Sequence, residues 1–244
     1  METWRNRQQL CNFPYLIPHA KQENMWTLHT STPIHAGTMS TRERKVNKHE
    51  TKAILCEFRA LLKRARDVND DLIDAVELLD EDMLQTFRIK MSKFGSTIDG
   101  QAIERDLREL KRRHGVGHIT LEVIFRESFP SQPPFIRVVS PRVKWYTGHV
   151  TAGGSICLKS LVNGIHGGWD PNYTIEGMIE MIKLNFVYAE RVLVRTMTGP
   201  GGMAGPLRID MDNEFNYDVM QEYSLWAAES AFYRTVENHR KNGW

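Results

Sequence analysis

The sequence predicts an α+β domain with an N-terminal helix, an antiparallel meander sheet and C-terminal helices. Three observations predict it: a basic stretch near residue 52 with one apolar stripe at helical spacing, three alternating runs between residues 86 and 139, and two helical patterns after residue 170. Helices segregated beside an antiparallel sheet define that class.

From Lys52 to about Arg66, Ile54, Phe58, Leu61, Leu62 and Ala65 fall on one helical face. Thr86 to Phe94 alternates with Phe87, Ile89 and Met91 on one side, Ile119 to Phe125 alternates likewise, and Phe135 to Val139 is a third strand. Between the first two, Ile98 to Arg113 carries Ile103, Leu107 and Leu110 at helical spacing, a short helical insertion. Ile175, Met178, Ile179, Ile182 and Phe186 form another face, with Thr174 placed to cap it. Gly199 to Pro206 reads as a loop. A last helix is expected from Tyr217 to Arg240, with Leu225, Ala228, Phe232 and Val236 inward. Residues 1–48 hold three prolines and no traceable period, so they read as a tail, with a folded domain over 49–244.

At 244 residues the chain suits one sizeable core with an appendage. Residues 1–48 carry seven Lys/Arg against three acids, about +4, which leaves about −2 elsewhere. The isoelectric point near 8.4 therefore comes from the tail, and the body lacks the basic face of a nucleic-acid binder. No run of about 18 apolar residues suggests a membrane span. Cys11, Cys56 and Cys157 share no close spacing, which argues against a disulfide framework and a zinc site; no metal or cofactor is expected. A reducing compartment, cytoplasm or nucleus, fits this usage.

The chemistry-bearing segments surround Cys157. Phe129-Pro130-Ser131-Gln132-Pro133-Pro134 places three prolines in five positions, which forbids a helix and makes a stiff extended loop. Gly153-Gly154-Ser155-Ile156-Cys157-Leu158 puts a thiol just after two glycines that permit close approach by another chain. Trp169-Asp170-Pro171 begins twelve residues after the thiol.

In this order and spacing the segments resemble the catalytic domain of ubiquitin-conjugating enzymes, whose pattern is aromatic-Pro-x-x-Pro-Pro, later Gly-x-Ile-Cys-Leu, then Trp before a helix. The stretch Pro133 to Pro141 and the chain end His239-Arg240-Lys241-Asn242-Gly243-Trp244 are similar to the Q subfamily. The resemblance implies that Cys157 accepts ubiquitin as a thioester from the activating enzyme and passes it to lysine. A thiol with an ordinary pKa of about 8.5 is about 3% thiolate at pH 7, and exchange between thioesters is roughly thermoneutral. It also implies ligase-facing loops at Pro130-Ser131 and Trp169-Asp170-Pro171. Lys52 matches a position that faces the activating enzyme, the alternative being a solvated helix face.

The chain departs from the family at three places. Where most members carry His-Pro-Asn, eight residues before the Cys, it reads Thr147-Gly148-His149, so His149 either replaces the Asn as oxyanion donor or is a surface loop histidine. Lys159 stands where an acid often follows the Cys, leaving Asp170 or a partner's acid to assist an incoming lysine. Ser131 replaces a bulky apolar anchor, which implies a restricted set of ligases. His239 and Trp244 are either brought back to the site by the last helix or are packing anchors. A silent ubiquitin-binding adaptor of the same fold is the alternative; a Cys/His hydrolase using His149, His166 or His239 is a third.

Overall fold

The structure, a computed structural model, describes residues 48–80, 83–163, 168–189, 192–196, 199–212 and 218–241. The tail read at residues 1–48 lies outside them except for Lys48. Helix α1 (Lys48–Arg66) is followed by strands β1 (Ala75–Asp80) and β2 (Met83–Met91), helix α2 (Ile98–His114), and strands β3 (Ile119–Ile124) and β4 (Phe135–Ser140). A single 3-10 turn (Lys159–Leu161) precedes helix α3 (Ile175–Tyr188), strands β5 (Val192–Thr196) and β6 (Gly199–Ala204), and helix α4 (Leu225–Lys241). No described helix is long and apolar enough to cross a membrane.

Strands β1 to β4 form an antiparallel meander in sequence order. Alternation decides its faces: Phe87 pairs with Val123, Ile89 with Leu121 and Met91 with Ile119, all fully buried against Ile54 and Leu61 of α1 and Ile179, Ile182 and Phe186 of α3. Residues of the intervening positions point to the other face. There Arg88 lies opposite Glu122, and Glu122 opposite Arg137. Arg137 and Glu122 are both 5% exposed and meet at 2.7 Å; Arg137 also donates to the Tyr223 carbonyl at 2.6 Å, and Arg88 bridges Glu122 to Glu222. The sheet's polar face is thus a buried ion network that binds the segment leading into α4.

Both long insertions obey local capping rules. Thr97 caps α2 by accepting from Gly100 N, and Gly115, at φ 76°, ends it in the left-handed conformation. Thr174 caps α3 in the same way as the sequence predicts, and Glu57 of α1 accepts from Ile175 N at 2.8 Å. Arg64 of α1 pairs with Asp70, Glu176 and Glu180, tying α1 to α3.

Two expectations are corrected, and strand β1 adds to the three strands expected from the sequence. It lies at the edge of the sheet, with Val76 and Leu78 packed inward and Leu79, 49% exposed, facing out. Gly199 to Ala204 is a strand: its backbone pairs with β5, including Pro200 opposite Arg195, which a two-stranded ribbon tolerates because each strand has a free edge. The last helix starts at Leu225, later than Tyr217, because Tyr223 and its neighbours spend their hydrogen bonds on the sheet; Leu225 is exposed.

Replacing Arg137 by Ala leaves the buried Glu122 with Arg88 at 3.3 Å and takes the guanidinium donor from the Tyr223 carbonyl, and the unfolding free energy measured in denaturant is expected to fall by about 2–4 kcal/mol. A loss under about 1 kcal/mol would mean that the network does not hold the segment.

Candidate functional site

Cys157 sits at the end of a small hairpin that grows from β4. Gly154 N donates to Thr151 O at 2.9 Å, closing the turn, and Thr151 N donates to Ser155 O at 2.9 Å. Val150 bridges Ile156, and Cys157 N donates to His149 O at 2.9 Å, which places His149 opposite Cys157 in the register. Val138 N donates to Gly154 O at 2.8 Å, fixing the hairpin to the sheet.

The two glycines admit the chain's own last helix. A Cβ on Gly153 would lie 2.2 Å from the Ala227 carbonyl oxygen, and one on Gly154, at φ +91°, would lie 2.5 Å from Cγ of Tyr223. Close approach was expected from another chain; the approaching groups are α4 and Tyr223, two residues before it. Tyr223 is locked there, with its N–H on Val139 O, its Oη accepting from Val143 N and the Arg142 guanidinium 4.0 Å from its ring centroid.

As a result, a narrow cleft of about 190 Å³, including solvent at its mouth, is lined by Cys157, Leu158 and Val162 on one side and by Phe232, Thr235 and Val236 of α4 on the other. Thr151 and Ser155 complete it, their hydroxyls 2.7 Å apart. Cys157 is partly exposed, and burial pushes its thiol up to about 11. This overturns the ordinary value near about 8.5: the thiolate fraction at pH 7 is on the order of 10⁻⁴. The α4 wall had a sequence signal, since Phe232 and Val236 share a helical face, but nothing local said which surface that face meets.

His149 takes φ 57°, a left-handed conformation uncommon outside glycine, and its ring is exposed at one side. Protein packed against the other side lowers its pKa below the usual value, so the imidazole is neutral at pH 7. It does not line the α4 cleft. Lys159 opens the 3-10 turn. The Asp170 carboxylate accepts from Asn172 N at 2.8 Å, shaping the turn into α3. Trp244 and the His239 side chain lie outside the described residues, as does His166; the body of α4 does reach the thiol.

The two loops read as ligase-facing are joined. Trp169 Nε1 donates to Pro130 O at 2.7 Å, and its ring stacks near Phe129 and, edge-on, on Tyr173. Ser131 and Asp170 are exposed and Pro171 partly so, while Lys52 is exposed on α1.

No family model matches the sequence. The human "Ubiquitin-conjugating enzyme E2 Q1" is 33% identical over 170 residues, 70% of this chain and 33% of the relative. The chain is similar to the ubiquitin-conjugating enzymes. It spans about a third of that relative's length. The human "Ubiquitin-conjugating enzyme E2Q-like protein 1" is 26% identical over 185 residues, 75% of this chain and 95% of the relative. Both carry the Q-type name to which the sequence motifs point. Among solved structures, the H. polymorpha ubiquitin conjugating enzyme Pex4p, in complex with the soluble domain of Pex22p, gives a TM-score of 0.41 at 19% identity, over 57% of this chain and 79% of that one.

Alkylation of Cys157 by iodoacetamide, read by mass spectrometry, is expected to accelerate about tenfold per pH unit from 7 to 10 without a plateau. A plateau below pH 9 would contradict the burial of the thiol.

Proposed function

We propose that this chain is a ubiquitin-conjugating enzyme that carries ubiquitin as a thioester on Cys157 and delivers it to lysine. The observation that carries this reading is the thiol's place: at a hairpin end, partly exposed, in a chain similar to these enzymes. In charging, the Cys157 sulfur attacks the thioester carbonyl carbon of ubiquitin on the activating enzyme; a new C–S bond forms, the old one breaks, and the Cys157 proton ends on the departing thiol. The reaction conserves thioesters and is driven by positioning more than by a strong base. A thiol near 11 ionises too rarely for free reaction, so the proton leaves as the partner docks.

In discharge the lysine amine attacks, a C–N bond forms, and the Cys157 thiolate departs and takes a proton. The tetrahedral oxyanion needs a donor. His149 supports that role by its position opposite Cys157 in the hairpin and by a neutral ring that carries one N–H. Asp170 is spent on its own turn, so an acid that assists the lysine is better supplied by a bound partner. The joined Pro130 and Trp169 loops, with exposed Ser131 in place of an apolar anchor, favour a restricted set of ligases. The exposed Lys52 on α1 serves as a contact for the activating enzyme. The cysteine spacing argued against disulfides, but Cys56 is disulfide-bonded, so cysteine usage does not support the reducing compartment expected from the sequence.

Incubation with activating enzyme, ubiquitin and ATP is expected to give an adduct that collapses with reductant, while Cys157→Ser gives one that resists it. His149→Ala should charge at the parent rate but discharge to free lysine about 10²-fold more slowly. No adduct at all would favour the silent adaptor, and equal discharge rates would return His149 to a surface histidine.

A further inference from the structure

The groove beside Cys157 is closed by the chain's own last helix, and that helix is anchored unevenly. Its first half is fixed: Ala228 and Ala231 are buried, and the Ala227 carbonyl lies against Gly153. Arg126 binds Glu229 at 2.8 Å and donates to Tyr233 Oη at 2.6 Å, and Phe232 packs edge-to-face on Phe135. From Arg234 to Lys241 no described side chain is buried, and the ion pairs of Glu237 run to Arg240 and Lys241 within the helix itself. Yet this loosely held half supplies Thr235 and Val236 to the cleft at the thiol.

Such a cleft conflicts with any acyl transfer to Cys157. A thioester carbonyl must come within bonding distance of the sulfur along a defined trajectory, with its acyl chain trailing across the surface beside it. Here the space on one side of the sulfur is filled by α4. The hairpin cannot yield, because its glycines are pinned to Tyr223 and to the sheet. The part of the cleft with the fewest anchors is the second half of α4, and helix ends fray at little cost when few apolar contacts hold them.

We propose that α4 from Arg234 to Lys241 is a movable wall, closed beside Cys157 in the resting chain and displaced outward to admit the acyl donor. Its occupant when open is an extended chain end bearing a thioester, which on the function proposed above is the C-terminus of ubiquitin. Thr235 and Val236 are positioning residues in this arrangement, setting access to the sulfur without touching the bonds that change. The high thiol pKa follows from the same cover.

The test loosens the wall from its outer side. Arg234→Gly/Glu237→Gly changes two residues of that half that do not line the cleft and lowers its helix propensity. Full-length parent and variant are treated at one pH with iodoacetamide and with a bulky fluorescein maleimide, modification is read at Cys157, and the thermal unfolding midpoint of each chain is measured alongside. The movable wall predicts a gain of about tenfold at Cys157, larger for the maleimide than for iodoacetamide, with the midpoint close to that of the parent. Equal rates at Cys157, or a gain that comes with a large fall in the midpoint and so marks general loosening, would overturn it. Neither reagent requires ubiquitin or an activating enzyme, so this result and the thioester assay succeed or fail independently.

Discussion

Tyr223 and Ala227 lie directly on the backbone of Gly153 and Gly154, and the arrangement of the thiol region depends on that contact. Neither glycine has room for a side chain, and Gly154 takes a backbone conformation that costs L-residues energy. Through them the hairpin carrying Cys157 is fixed on one side to β4 and on the other to the segment that starts α4. The buried pair of Arg137 and Glu122 adds direction: the guanidinium reaches past the sheet to the Tyr223 carbonyl. Removing water from these charges is costly, and only full pairing makes it tolerable, so the segment has one place to lie.

This contact explains a tension in the chemistry. A thiol meant to exchange thioesters gains from exposure, whereas one packed beneath a helix gains resistance to stray oxidants and alkylating agents. Cys157 stands between these limits, partly exposed yet held as the neutral thiol by burial. With Lys159 after the thiol and His149 eight residues before it, the site supplies little activation of its own at neutral pH. On the function proposed above, reactivity resides in the encounter, where partner docking, displacement of the helix end and the neutral imidazole of His149 act together.

Much of the fold was legible in the sequence because its signals are local. The alternation of Phe87, Ile89 and Met91, the stripe on α1, and the Thr174 cap each follow from periodicity or a single hydrogen bond. Strand β6 was not legible, since glycine and proline carry no strand signal and the pairing comes from backbone partners in β5. Of the site, motif order singled out Cys157, His149 and the Pro130 and Trp169 loops as candidates, while the pairing of His149 with Cys157 and the hydrogen bond joining the loops come from the folded chain. The α4 wall could not, because Phe232 and Val236 form an ordinary apolar face until the glycines of a distant hairpin bring it to the sulfur.

The central claim is that Cys157 alone carries the acyl group, and intact-mass measurement tests it most directly. A chain with Cys11→Ser and Cys56→Ser, incubated with activating enzyme, ubiquitin and ATP, should gain the mass of one ubiquitin less one water and lose it on reduction. An unchanged mass for this chain, or the same reductant-sensitive gain when Cys157 is the residue replaced, would contradict the account.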